Sequence, residues 1–288
     1  FEFDDVVSYG YNARSELTNA VAAVDANYHY SYQYDSIGNR ESSSERGTNT
    51  AYTANLLNQY TQVATAGEGL FVPEFDDDGN QTLVKTVTGI WSVVYNGENR
   101  PVLWTCGMTN IIMSYDRLGR RVTNNEQRFA YNGYLQIANL TPATTIATSN
   151  RNSFIWDPTE LIATRPLVWY DMRDIGEGGT DCKGKFYTHD GNKNVGEVLT
   201  ENGSVVAHYE YSPFGAVTVR RSESPSSNPW QFSSEFSEDE LGCDYYNYRH
   251  LVPIFGRWVT VDPLEGLPGV VAAGLNFYSY PNNCVRNF

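Results

Sequence analysis

The stretch "YQYDSIGNR" (residues 32–40) alternates tyrosine with polar residues. It then sets an aspartate directly after the last tyrosine, with a Gly-Asn pair three residues further on. Alternation of period two, rich in β-formers, reads as a strand, and Asp-x-x-Gly-Asn reads as the turn that ends it. The phrase returns as "FDDDGNQ" (75–81), "YNGENRP" (95–101), "YDRLGRR" (115–121), "YNGYLQI" (131–137), "HDGNKNV" (189–195) and "YSPFGAV" (211–217). Its aromatic anchors, Tyr11, Tyr34, Phe75, Tyr95, Tyr115, Tyr131, Trp156, His189 and Tyr211, are spaced by 23, 41, 20, 20, 16, 25, 33 and 22 residues. A degenerate copy, "YTANLLNQYTQV" (52–63), bridges the interval of 41. The underlying period is about 20 residues, which places the chain among repeat architectures.

Each copy is expected to be a β-hairpin. Asn-Gly pairs at 96–97, 132–133 and 202–203 predict mirror-image two-residue turns, whose twist matches that of the flanking strands. Because one hairpin is marginal in water, the copies should pair edge to edge into a continuous antiparallel sheet that buries columns of aromatic rings. Val94, Ile112 and Val206 fall on the opposite face by the same alternation. Such a sheet tends to twist and curl. Helix signals are nearly absent, so the expected fold class is all-β, a curling or spiralling shell.

Composition narrows the partners. The formal charge is -14, from 20 basic and 34 acidic residues, which disfavours phosphate backbones and anionic membranes. Nucleic acid is therefore not expected as a partner. Sixteen of the basic residues are Arg and four are Lys, a balance suited to planar hydrogen bonding more than to mobile solubilising charge. No run approaches the roughly 18 apolar residues of a membrane span. The start "FEFDDVVSYG" lacks both Met and a signal-like region, and the chain reads as a piece of something longer. Cys106, Cys182, Cys243 and Cys284 form no CxxC pair; they fit two disulfides or four buried thiols equally well.

The repeats run to about Arg221. "SESPSSNP" (222–229) reads as a linker, and 230–288 has a different texture, dense in aromatics and short motifs. "DIGEGGTDCKGK" (174–185) reads as an insertion loop between units.

The repeated G-x-x-x-Y-(D/N)-x-x-G phrase resembles the YD repeat of bacterial Rhs proteins, of the C components of insecticidal Tc toxins and of animal teneurins. The segment "NPWQFSSEFSEDELGCDYYNYRHLVPIFGRWVTVDPLEGL", followed by "GLNFYSYPNN", resembles the Rhs repeat-associated core. The likeness extends over essentially the whole chain. It implies a β-shell that encloses and delivers a C-terminal toxin or other passenger, with the core curling inward as a plug, in a secreted or cell-surface bacterial protein. In several members the core is also an aspartyl autoprotease that frees the passenger after D-P-x-G-L, and YD repeats have been associated with carbohydrate binding.

Carried over residue by residue, the resemblance gives Arg249 and Asp262 as the conserved Arg and the first catalytic Asp. The D-P-x-G-L that bears the second Asp is absent from a sequence ending in "NNCVRNF". Val252 stands where an Asp is usual, and "EGLPGVVAAGLN" (265–276) is longer than the usual run, which places the protease geometry in question. An aspartyl protease needs two carboxylates sharing one proton, so these residues alone are not expected to turn over. The alternative role for Arg249 and Asp262 is a structural ion pair fixing the plug.

Other motifs favour plain readings. "DDDGN" (76–80) and "DGNKN" (190–194) suggest calcium, but an EF-hand loop needs Gly at its sixth position, where Val195 stands; both are read as turns. His29, His189, His208 and His250 are scattered, with no metal or triad spacing. No cofactor is expected. Trp91, Trp104 and Trp156 could stack on sugars, though packing in the repeat columns is the simpler role.

The expected function is therefore that of a shell scaffold, with single-turnover autoproteolysis and glycan adhesion as competitors. About ten hairpins would leave free strand edges, and free edges pair with other chains, so a longer parent or self-association, a filament being one form of it, is also expected.

Overall fold

The computed structural model describes residues 6–141, 150–160, 165–176, 179–222, 228–263 and 276–280. Most of the 222–229 linker, most of the 265–276 run, Cys284 and the "NNCVRNF" end lie outside them. Among the described residues there is no α-helix, only a 3-10 turn at Phe232–Ser234, and every strand pair is antiparallel. Two compact units are formed. The first holds the described residues of 1–93, 212–216 and 249–286; the second holds those of 94–211 and 217–248.

In the first unit β1 (Val7–Tyr11), β2 (Leu17–Ala22), β3 (His29–Tyr34), β4 (Arg40–Glu45), β5 (Thr48–Ala54) and β6 (Tyr60–Thr65) pair in chain order. β7 (Glu74–Phe75), β8 (Gln81–Thr86) and β9 (Gly89–Tyr95) form a second ladder. The expected continuity breaks here. Between β6 and β7 a single bridge, Val63 to Phe71, remains in "AGEGLFVP". Gly67 and Gly69 carry no side chain to pack, and Pro73 has no amide hydrogen for a ladder, so the strand cannot be sustained.

The second unit runs through β10 (Pro101–Cys106), β11 (Thr109–Tyr115), β12 (Arg121–Asn124), β13 (Gln127–Asn132), β14 (Leu135–Thr141) and β15 (Asn150–Trp156). It continues through β16 (Pro166–Gly176), β17 (Gly179–His189), β18 (Val195–Thr200), β19 (Val205–Tyr211) and β20 (Val217–Ser222). These too pair in chain order. The 174–185 stretch, expected as a loop, is largely strand, because β16 and β17 are eleven-residue partners.

The recurring phrase has a specific geometry. At Asp35 the backbone N–H donates to the Asn39 carbonyl (2.9 Å), while its carboxylate accepts from the N–H groups of Ile37 and Asn39 (both 2.9 Å). The same five-residue loop, closed by an Asn or Asp side chain, recurs at 12–16, 55–59, 76–80, 96–100, 116–120 and 190–194. Its fourth residue takes a positive φ, as at Gly38 (87°) and Gly119 (82°). The acid is thus a turn-former whose oxygens are taken up by the turn.

The Asn-Gly expectation needs correcting. At 96–100 the positive φ falls on Asn99, not Gly97, and at 132–133 and 202–203 only the glycine is positive, whereas a mirror-image turn needs two such residues. Asn96 simply occupies the aspartate place of the five-residue loop. The two-positive-φ turn does occur, at Arg46–Gly47, between β4 and β5.

The aromatic anchor precedes each loop and sits at a break in register: Tyr11, Tyr34, Phe75, Tyr115, Tyr131, Trp156, His189 and Tyr211 each mark a bulge. In the second unit the ring's polar atom reaches a backbone carbonyl 10 to 20 residues earlier. Tyr115 donates to Pro101 (3.0 Å), Tyr131 to Arg121 (2.7 Å), Trp156 to Gln136 (2.9 Å) and Tyr211 to Val195 (2.8 Å). A bulge leaves ladder groups without strand partners, and the tyrosine hydroxyl satisfies one of them in the preceding hairpin. That is why the phrase prefers Tyr to Phe.

One face of the strands forms the core. In the second unit Phe129, Phe154, Trp169, Tyr187, Val198 and Tyr209 pack with Trp230, Phe236 and Tyr245 from the later segment. Val94 and Ile112 lie exposed on the other face, whereas Val206 packs against this core.

Candidate functional site

The segment after residue 227 supplies the candidate residues. In the second unit it lies along the aromatic face as β21 (Phe236–Glu238) and β22 (Cys243–Tyr246), after Trp230 has wedged edge-on against Phe154 (5.4 Å) and Trp156 (4.6 Å). Backbone and side-chain bonds hold it there. Val195 N–H donates to Gln231, Ser233 N–H to Asn194, Ser234 to the Lys193 carbonyl, and Tyr187 to Asn228. The loop at 190–194, one of those that suggested calcium, thus serves as a docking ledge.

In the first unit β23 (Arg249–Val252) and β24 (Arg257–Trp258) pair through Leu251 with Trp258 and Val252 with Arg257. Arg249 and Asp262, nominated from the sequence, come together: Nη2 lies 2.9 Å from Oδ2. The guanidinium is stacked on the Trp258 indole, 4.1 Å from its centroid. Burial pushes the Arg249 guanidinium down from its ordinary value, and Asp262 opposes that shift. Val252, at the place of the usual Asp, is buried, and its carbonyl accepts from Phe255 and Gly256 N–H in the β23–β24 turn. The apolar side chain suits that interior position.

A second constellation escaped the sequence reading. Arg257 stacks on Tyr60 (4.1 Å) and donates to the Asn58 carbonyl, to Asn276 Oδ1 (3.2 Å) and to Asn39 Oδ1 (3.4 Å); Asn276 also donates to Asn39 (2.8 Å). Tyr278 donates to the Gly79 carbonyl (2.6 Å). The "GR" and "NFY" residues thus grip three successive five-residue loops, at 35–39, 55–59 and 76–80. Buried polar groups need such partners, and here the loop ends provide them. The signal was present, in that these residues carried the family resemblance, but nothing in spacing linked them to the turns.

Two fully buried arginines were also missed. Arg40 is sandwiched between Tyr32 (4.5 Å) and Phe214 (4.1 Å) in the first unit, with Glu45 at 3.6 Å. In the second unit Arg121 pairs with buried Glu238 inside a cage of Phe129, Phe236 and Tyr245. Asn124 donates to the same carboxylate (2.7 Å). Both arginines directly follow the recurring loop, a position that looks solvent-facing in sequence.

The proposed sugar platforms fare differently. Trp91 (3% exposed) and Trp104 (0%) are interior residues with no face open to a sugar ring, and Trp156 is half-buried against Trp230. His208 lies between Glu197 and Glu210, and His189 is lowered to about 4 by burial and then by Arg165. Cys106, Cys182 and Cys243 are free thiols.

No protein-family model matches the chain. Among curated proteins it is 23% identical, over 270 residues, to the tRNA3(Ser)-specific nuclease WapA of Bacillus spizizenii, and 22% identical, over 266 residues, to the tRNA nuclease WapA of Bacillus subtilis. Each alignment covers 88% of this chain, which spans about a tenth of those relatives. A 70-residue stretch is 33% identical to toxin subunit YenC1 of Yersinia entomophaga, covering 24% of this chain and 7% of that subunit. Among solved structures the chain is similar to TcdB2-TccC3 without its hypervariable C-terminal region, with TM-score 0.62 and 16% identity over 99% of this chain and 16% of that one. The Photorhabdus luminescens Tc holotoxin pore gives TM-score 0.64 and 14% identity over the same shares. At this identity the likeness establishes a shared all-β antiparallel fold with the Tc toxin components and a sequence relationship to part of the WapA nucleases.

Proposed function

We propose that this chain is a section of the wall of an Rhs-type YD-repeat shell, with 230–288 as its repeat-associated core, whose role is to shield and carry a passenger lying C-terminal to it. The observation that carries this reading is the grip of Arg257, Asn276 and Tyr278 on three consecutive repeat loops. It couples the motif-bearing segment to the strands as one construction, which suits a wall with a built-in lining better than a catalytic domain on a spacer. The Tc-like fold, the WapA relatives and the short share of each relative that the chain covers agree with it. A secreted or surface location follows from the same reading. The test is limited proteolysis of the longer natural polypeptide: the passenger should resist digestion until the wall is denatured. Equal digestion of shielded and isolated passenger sinks the proposal.

A second reading is favoured by the Arg249–Asp262 pair at 2.9 Å. Asp262 acts as one carboxylate of a self-cleaving pair and Arg249 orients it, with the second acid supplied by the chain beyond residue 288. A charge-assisted bond from a guanidinium fixes the orientation of the carboxylate it holds, which a cleavage role requires. Asp262→Asn in the longer polypeptide should leave it uncut, and cleavage at the original rate excludes this role.

A further inference from the structure

An indole joins the pair at Asp262 to segment 276–280. Trp258, at the end of β24, carries Arg249 on its face (4.1 Å to the centroid), and Arg249 holds Asp262 (2.9 Å). The indole also packs against the Tyr280 ring, with centroids 5.3 Å apart and planes at 59°. Its backbone N–H donates to the Tyr278 carbonyl (3.0 Å), and Arg257 bridges to Ser279. Residues 276–280 are therefore a turn held against β24 by one antiparallel bridge, with Tyr278 seated on the Gly79 carbonyl as its anchor. Trp258, Tyr278 and Tyr280 are each less than a tenth exposed, so the contact is dry and geometrically constrained.

We infer that Trp258 is a positioning residue: it transmits the seating of segment 276–280 to Arg249, and through Arg249 fixes the carboxylate of Asp262. The physical basis is that a guanidinium lying on an indole face has lost most of its rotational freedom, so its fork meets the carboxylate pre-aimed. Tyr280 limits where the indole can lie. If the segment leaves β24, Trp258 loses both its backbone acceptor and its ring neighbour, and the platform under Arg249 loosens. The Arg249–Asp262 geometry then reports whether the chain leading toward the passenger is seated. This rests on the reading of Asp262 as a cleavage carboxylate only for its biological use; the coupling itself is a property of these 288 residues.

The test uses the chain as it stands, with an NMR readout of the Arg249 Nε–H, assigned by its loss in Arg249→Lys. In the parent the signal should be sharp and slow to exchange. Tyr280→Leu, which leaves β24 intact, should speed its exchange by about tenfold, the order expected for loss of an ordered cation–π platform. Trp258→Leu should do at least as much, and Trp258→Phe, which keeps a face, should restore exchange to near the parent rate. An Arg249 signal indifferent to Tyr280→Leu while Trp258→Leu disturbs it overturns the coupling, as does indifference to both. In the longer polypeptide, Tyr280→Leu should slow self-cleavage and move its pH profile. Absence of cleavage in the parent would remove the protease reading, while the exchange data decide the coupling separately.

Discussion

The Arg121–Glu238 pair makes the strongest demand on the structure. Both side chains are interior, at 0% and 5% exposure, and three rings surround the guanidinium at 4.2 to 4.9 Å. Glu238→Gln keeps the shape and an acceptor for Asn124, and removes only the charge. The guanidinium, already driven down by burial, is then left as an uncompensated cation in an aromatic box. Breaking one side of a buried pair costs about 3 to 5 kcal/mol, and the rings, which contact the guanidinium in parent and variant alike, do not change that difference. We therefore expect a loss of about 3 to 5 kcal/mol, a large share of the ~5 to 15 kcal/mol typical of a domain. Urea unfolding followed through hydrogen exchange at β12 and β21 measures it. The double variant Arg121→Met with Glu238→Leu should recover to within about 1 kcal/mol of the parent, because neither charge then needs a partner. A single-variant loss below about 1 kcal/mol, or a double variant worse than the single one, refutes the argument.

Gly256 has φ of +58° and lies against the Arg40 guanidinium and the Phe214 ring, where an added Cβ would fall 2.8 Å from Cδ1. Gly256→Ala combines left-handed strain with overpacking and should cost about 2 to 5 kcal/mol by chemical denaturation; a loss under 1 excludes the close approach. Tyr131→Phe and Tyr211→Phe each orphan a bulge carbonyl and should lose about 1 to 3 kcal/mol, whereas Phe at exposed Tyr134 should be neutral. Burial, then Asp239, pushes the Asp244 carboxyl well above its ordinary range, so folding favours its protonated form relative to the unfolded group, which ionises near pH 4. Its contribution is present below that pH and declines above it by about 1.4 kcal/mol per pH unit until the folded group titrates. His189, lowered to about 4, works oppositely: its contribution is present above the ordinary histidine value and lost as pH falls toward 4. Asp244→Asn should flatten the alkaline decline in second-unit stability, and an unchanged pH profile removes that assignment.

Much of the antiparallel fold could be read from the phrase at residues 30–40 and its recurrence. The alternation of Tyr30, Tyr32 and Tyr34 gives the strand, and the period of about 20 residues gives the tiling, because both depend only on local pattern. What local pattern could not give is the company of Arg40 and Arg121. An arginine after a polar turn looks exposed, and only residues distant in the chain, Phe214 of a later repeat with Gly256 at one and Phe236 with Tyr245 at the other, turn each position into an interior one. The Asn-Gly pairs misled for a related reason. The loop closes on a side chain at its first residue, so the positive φ is set by counting from that residue and not by the dipeptide. Arg249 and Asp262 were named by family resemblance, and their contact required the β23–β24 hairpin to bring positions 13 residues apart together.

A repeat that needed only to tile could use any aromatic at the bulge and any small polar residue in the loop. This one places hydroxyl donors toward the preceding hairpin, and it offers loop asparagines and carbonyls to a segment more than 190 residues away, as with Asn39, Asn58 and Gly79. The loops thus have two partners, their own Asp or Asn side chain on one side and the later segment on the other. The strands are not complete without that segment: lacking Arg257 and Asn276, the buried Asn39 side chain loses two of its four side-chain partners, both on its amide oxygen, a penalty of about 1 to 3 kcal/mol for the orphaned group. These shared bonds predict that folding of the strands and seating of segment 276–280 are one cooperative event in the first unit. Arg257→Ala should destabilise the loops at 35–39 and 55–59 as strongly as it frees segment 276–280, and exchange confined to 276–280 alone would contradict that cooperativity.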